Sequence, residues 1–193
     1  MNRNPTGQSD FGAGTRTKFL KRTVAGFAKN AVIHQASGRV LFNLSGYFKP
    51  QQIIELGTGL GIGTMYLALG NPSAKVITIE GNPVLAAIAE ENFRKAGLEN
   101  ICIVTGRFDD VLPGIIKNCA GNLMVFIDGN HTFEATLRYC GMFTSIIGFK
   151  GVIIIDDINW SAGMMSAWET ICSFYEKAVH VNLFNMGILI ITD

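Results

Sequence analysis

From Gln51 onward, short runs rich in β-branched residues alternate with longer stretches of helical character, and this alternation constrains the fold more than any other feature. The apolar runs fall at 52–56 (QIIEL), 76–80 (VITIE), 101–104 (ICIV), 123–127 (LMVFI) and 151–155 (GVIII). Helical stretches lie between and after them, near 62–70, 83–96, 108–118, 132–146 and 161–178. Short, nearly uninterrupted apolar runs suit strands covered on both faces. Strand–helix repetition of this kind predicts a doubly wound α/β fold, with a parallel sheet and right-handed crossovers. The end of the chain differs. AVHVNLF and GILIIT are too close for a helical crossover, so they predict a hairpin with an antiparallel last strand.

The first 50 residues have another character. Residues 1–14 read as a flexible tail, rich in Gly, Asn, Pro and Ser. A helix is expected from Thr15 to about Ala36, and a second over GRVLFNLSGYF, ended by Lys49-Pro50. The expected organisation is thus a tail (1–14), N-terminal helices (15–50) and one α/β domain (51–193). The chain of 193 residues carries a net charge of only +1, which argues against bulk attraction to nucleic acid or membrane. The charge is unevenly spread, about +7 over residues 1–50 and −6 over the rest. The four cysteines form no CxxC or Cys/His cluster and read as reduced core cysteines. Residues 1–18 do not read as a signal peptide, and no apolar run approaches the ~18 residues of a membrane span, so a cytoplasmic protein is expected.

In doubly wound sheets, ligands sit beyond the C-terminal ends of the strands, so the residues after each strand carry the functional information. After the first strand comes ELGTGLGIGT, with glycines at 57, 59, 61 and 63. Glycines there permit a tight turn and close approach of a ligand to the main chain. The helix that follows offers free N–H groups. Glu55, near the strand end, would repel a pyrophosphate but could receive a cationic ligand. Glu80 ends the second strand, where an acid can accept hydrogen bonds from both hydroxyls of a ribose. After the fourth strand, FIDGNH places Asp128 at the strand end, and His131 three residues later is suited to proton transfer near neutral pH. Asp128 could equally cap the next helix, and His131 could be structural. After the fifth strand, IIIDDINW adds Asp156 and Asp157. Three acids around one point are costly without a cation, and oxygen ligands of this kind suit Mg²⁺ or Ca²⁺.

IIELGTGLGIGT followed by VITIEGNP resembles the first two motifs of the class I S-adenosylmethionine-dependent methyltransferases, and the likeness runs from about Gln35 to the end. It implies a Rossmann-like methyltransferase fold of seven strands, mostly parallel, with the last strand antiparallel. It implies a cofactor site made by Glu55, Gly57, Thr58, Gly59 and Gly61, by Glu80 and Gly81 at the ribose, by Arg107 and Phe108 bracketing the adenine, and by Asp128. Within that class the chain is similar to the metal-dependent O-methyltransferases of the catechol and caffeoyl-CoA type. Those carry an Asp after strand four, then an Asp-Asn pair after strand five with a Trp three residues beyond the Asn. Here the pair is Asp156-Asp157, with Trp160 three residues on. Asp157 replaces the Asn, and His131 stands where the family has a proton-removing Lys. The likeness extends to uncharacterised bacterial relatives that share the FIDGNH and DDI-W wording.

The expectation is methyl transfer from S-adenosylmethionine to a hydroxyl of a small-molecule acceptor. Asp128 and His131 are the catalytic candidates, and Asp128, Asp156 and Asp157 would hold a divalent cation such as Mg²⁺. The basic N-terminal helices read as a packing layer, as a lid over the acceptor, or as the contact of a homodimer. Two rival readings are kept: a cofactor-binding protein without catalysis, and a nicotinamide-dependent oxidoreductase. Nucleic-acid methylation is disfavoured, because the chain has no Asn-Pro-Pro-aromatic motif and no basic-aromatic patch on its body.

Overall fold

The computed structural model describes residues 33–119, 121–146 and 148–192. The tail (1–14) and the helix expected from Thr15 lie outside the described residues, except for its last few positions. In chain order the elements are α1 (Gln35–Phe48), β1 (Gln52–Leu56), α2 (Ile62–Gly70), β2 (Lys75–Glu80), α3 (Pro83–Lys95), β3 (Ile101–Thr105), α4 (Phe108–Ile116), β4 (Leu123–Ile127), α5 (Phe133–Thr144), β5 (Gly151–Ile155), α6 (Ala162–Phe174), β6 (Val179–Leu183) and β7 (Met186–Ile191). The strands form one seven-stranded sheet in the order β3-β2-β1-β4-β5-β7-β6. β1 to β5 run parallel, while β7 is antiparallel to both β5 and β6. This is the expected doubly wound sheet with its reversed last strand.

Neighbouring residues along a strand face opposite sides of the sheet, and here both sides are covered. Ile53 packs with Leu41, Leu67, Met124 and Phe126 on the α1–α2 side. Ile54 packs with Leu112, Val125, Tyr139, Phe143 and Trp168 on the α4–α5–α6 side. Helix starts follow local chemistry. Asn82 accepts from the Val84 N–H (2.9 Å) ahead of Pro83, Thr132 accepts from Ala135 N–H (3.4 Å), and Ser161 accepts from Met164 N–H (3.2 Å).

Four details differ from expectation. α1 begins at Gln35 after an extended His34, so the first expected helix cannot continue through Ala36. Gly38 is no helix start but a point of close approach, because a Cβ there would stand 2.3 Å from the Tyr66 ring of α2. α6 ends at Phe174, not near residue 178. The cysteines are all free, but only Cys140 is buried, and Cys102 is exposed. Its strand, β3, is a sheet edge, so one side of an apolar run stays open to solvent.

The strand order reverses between β1 and β4, and that junction is where such folds open a crevice at the strand ends.

Candidate functional site

The crevice begins with the glycine-rich turn after β1. Gly57 has φ 107°, and a Cβ there would lie 2.0 Å from the Asp128 carbonyl oxygen, so only glycine lets the turn pass this close to the end of β4. Gly61 (φ 82°) caps α2, and a Cβ there would strike the Phe93 ring at 2.4 Å. The N–H of Gly59 points sideways, to Glu80 Oε2 at 2.8 Å. Glu80 Oε1 accepts from the Asn82 N–H, also at 2.8 Å, and Gly81 adds a further backbone hydrogen bond. Partial burial raises the Glu80 pKa, and these N–H groups oppose the rise. The acid of β2 and the glycine turn of β1 are therefore locked as one unit. Each Glu80 oxygen keeps lone-pair capacity for a ligand hydroxyl.

Glu55 is placed differently from the expected cationic-ligand contact. Ile53 faces the α1–α2 layer, so Glu55, two residues on, faces it too. The side chain is 1% exposed, and its Oε2 accepts from the hydroxyls of Thr64 and Thr78. Burial pushes its pKa up to about 7, with the two hydroxyls opposing and the charge of Glu80 adding to the rise. Thr58 is likewise turned inward, with its hydroxyl 2.6 Å from that of Thr78.

Arg107 caps α4 and is exposed, while Phe108 opens that helix half-buried. The Phe108 ring lies against Gly129, where a Cβ would be 2.9 Å away, and edge-on to Tyr139 at 5.7 Å. It thus joins the core and the floor of the crevice at once. Arg138 forks onto Asp109 through Nε (3.1 Å) and Nη2 (3.2 Å), which ties α4 to α5.

The acids after β4 and β5 converge. Asp128 N–H bonds to Leu56 O and Asp156 N–H bonds to Ile127 O, each at 2.9 Å, which holds neighbouring strand ends level. His131 Nε2 lies 3.7 Å from Asp128 Oδ1 and 3.8 Å from Asp157 Oδ2. Burial raises the Asp128 pKa well above the carboxylate range, and the charges of Asp156, Asp157 and Glu55 push it further. Asp156 is pushed up to about 6 by burial and by Asp157, against the Asp157 N–H and nearby His34. Burial lowers the His131 pKa, against the pull of Asp157. Asn130 (φ 53°) and Asp157 (φ 56°) take left-handed backbone, which Asn and Asp tolerate better than other residues with a Cβ. Asn130 Nδ2 donates to Tyr139 Oη at 3.1 Å.

Among the described residues no three His, Cys, Asp or Glu side chains are grouped to hold an ion. One Asp156 oxygen accepts from the Asp157 N–H at 2.9 Å, and Asp128 and Asp157 both approach His131 Nε2. Beyond the acids, the IIIDDINW turn docks on the β6–β7 turn: Ile158 N–H bonds to Asn185 O (2.9 Å) and Asn159 Nδ2 donates to Phe184 O.

Residues 54–158 match the family model described as "Methyltransferase domain". The chain belongs to this methyltransferase family. The matched span encloses the glycine turn, Glu80, Asp128, His131, Asp156 and Asp157, and leaves out His34 and the β6–β7 turn. Among curated relatives, a catechol O-methyltransferase of Niastella koreensis is 36% identical over 96 residues, covering 48% of this chain and 43% of the relative. One of Mycobacterium tuberculosis is 29% identical over 131 residues, covering 67% and 58%. The chain therefore spans about half the length of the curated relatives it matches. The solved O-methyltransferase TomG of Streptomyces achromogenes, in complex with SAM, shares the fold with a TM-score of 0.74, at 18% identity and 88% coverage of both chains.

Thr64, Thr78, Asn130, Tyr139 and His34 escaped the sequence reading. Thr78 left a faint signal, a polar residue at an inward position of an otherwise apolar strand.

Proposed function

We propose that this chain transfers a methyl group from S-adenosylmethionine to a hydroxyl of a small-molecule acceptor. One juxtaposition supports the reading: Glu80, locked to the glycine turn, stands at the same switch point as the His131–Asp128–Asp157 group. When bound, S-adenosylmethionine supplies an electrophilic methyl carbon and departs as a neutral thioether. Glu80, with Gly81 beside it, would accept the two ribose hydroxyls, while Gly57, Gly59 and Gly61 leave room for the methionine portion. Arg107 and Phe108 would flank the adenine, and Asp128 lies where the two ligands would meet. Holding donor and acceptor in line accounts for much of the rate in such transfers.

His131 takes the acceptor's proton in this proposal. Its lowered pKa keeps the imidazole neutral, and so able to accept a proton, near pH 7. After transfer the imidazolium lies 3.8 Å from Asp157 Oδ2, whose charge favours it. A divalent cation such as Mg²⁺ would find hard oxygen donors in Asp128, Asp156 and Asp157, which among the described residues are not grouped around one centre. The proposal includes a homodimer through the N-terminal helices, supported by Phe42 and Tyr47, which stand exposed on α1. Light scattering reads the mass directly, and a monomer mass across the micromolar range removes that part.

The test is transfer of labelled methyl from S-adenosylmethionine, with catechol first among a panel of small hydroxylated acceptors. Labelled product from the wild type, lost in His131→Ala, is expected. Binding of the cofactor with no labelled product from any acceptor would favour a binding protein without catalysis.

A further inference from the structure

The hydroxyls beneath the glycine turn have a defined direction. Glu55 pairs laterally with Thr78 in the β1–β2 register, and Thr78 is fully buried. Thr64 and Thr78 each donate their hydroxyl hydrogen to Glu55 Oε2. The one hydroxyl hydrogen of Thr78 is then committed. The 2.6 Å contact between Thr58 and Thr78 must be donated by Thr58 and accepted by Thr78. All three threonine hydrogens point toward Glu55, and Thr58 turns its own away from the crevice.

Thr58 sits between Gly57 and Gly59, the two residues that set the turn's approach to Asp128 and its bond to Glu80. We infer that Thr78 is a positioning residue of the cofactor site: it touches no ligand, but through Thr58 and Glu55 it fixes the glycine turn in the conformation that receives the cofactor. The inference rests on the cofactor reading above and assigns a role that no motif contains. Glycine supplies conformational freedom to the turn, and freedom alone does not select one shape. A buried chain of hydrogen bonds ending on the Glu55 carboxyl supplies the selection.

Calorimetric titration with S-adenosylhomocysteine tests the idea without any acceptor. Thr78→Val, close in shape but without the hydroxyl, should weaken binding about tenfold, the scale of one buried hydrogen bond. Thr78→Ser keeps the hydroxyl and loses a packed methyl, and should bind within about twofold of wild type. Thr58→Val should match Thr78→Val, and the double variant should be no weaker than the weaker single one, because both remove the same link. If Thr78→Val does not fold, the Thr58→Val and Thr58→Ser pair carries the same contrast. Unchanged binding in the valine variants, equal losses in serine and valine, or additive losses in the double variant each overturn the inference. A wild type that binds no S-adenosylhomocysteine overturns the cofactor reading as well, whereas binding that survives Thr78→Val overturns this inference alone.

Discussion

The two halves of the crevice treat their acids in opposite ways. At the β1–β2 end, Glu55 and Glu80 are satisfied from within: two hydroxyls on one, backbone N–H groups on the other. At the β4–β5 end, Asp128, Asp156 and Asp157 crowd one another, relieved by one N–H and a histidine at 3.7–3.8 Å. Glu80, held by backbone N–H groups, is a fixed template for recognition, whereas the crowded acids respond to a proton or a cation. In the proposed function, cofactor recognition falls to the first end and chemistry to the second.

The sharpest way to break this division is to remove each end's key group and ask which constant moves. His131→Ala should lower kcat by about 10²- to 10⁴-fold, the usual worth of a positioned acid–base group, and leave the cofactor Kd alone. A changed Kd with unchanged kcat would reverse the assignment. Glu80→Gln should do the converse. Its amide would face the N–H of Gly59 or Asn82, donor against donor, so the cofactor Kd should rise about 10- to 100-fold with little change in kcat at saturation.

Stability gives a smaller but independent contrast. Glu55 has a pKa near 7 in the folded chain against an ordinary 4.5, so the native state binds its proton more tightly than the unfolded state. Its contribution to stability is present in full below pH 4.5 and is lost as pH rises through 7. Glu55→Gln should therefore be worth about 1–3 kcal/mol more in stability at pH 8 than at pH 4.5, read from denaturant unfolding at both pH values. An equal effect at both would show that the hydroxyls already offset burial. The cation sets the last contrast: a transfer rate unchanged in excess chelator would show that the acids work without an ion. Loss of activity restored by Mg²⁺ would show that they gather around one in the working enzyme.

Sheet and topology were legible in the sequence because a buried parallel strand must be an apolar run and its crossover must be a helix. Glu80, Asp128 and His131 were legible for the same reason: position after a strand fixes position in the crevice. Glu55 misled. Counting from the glycines puts it beside the ligand, but strand alternation turns it onto the α1–α2 face, where Thr64 and Thr78 hold it. Gly38 reads as a helix start only until Tyr66 is seen against it, and Cys102 reads as core only until β3 proves to be an edge. The proximity of His34 to Asp156 comes from packing across distant segments and leaves no trace in spacing. The acid group shows the same limit. The sequence brought three carboxylates to neighbouring strand ends, but it could not show that His131 would pair with two of them.

Titration of S-adenosylmethionine into the wild-type protein tests the central claim most directly, since every assigned role depends on the glycine turn and Glu80 receiving that cofactor. Saturable binding in the micromolar range, weakened by Glu80→Gln and untouched by His131→Ala, is the predicted result. No binding at high micromolar concentration, or equal weakening by both substitutions, would contradict it.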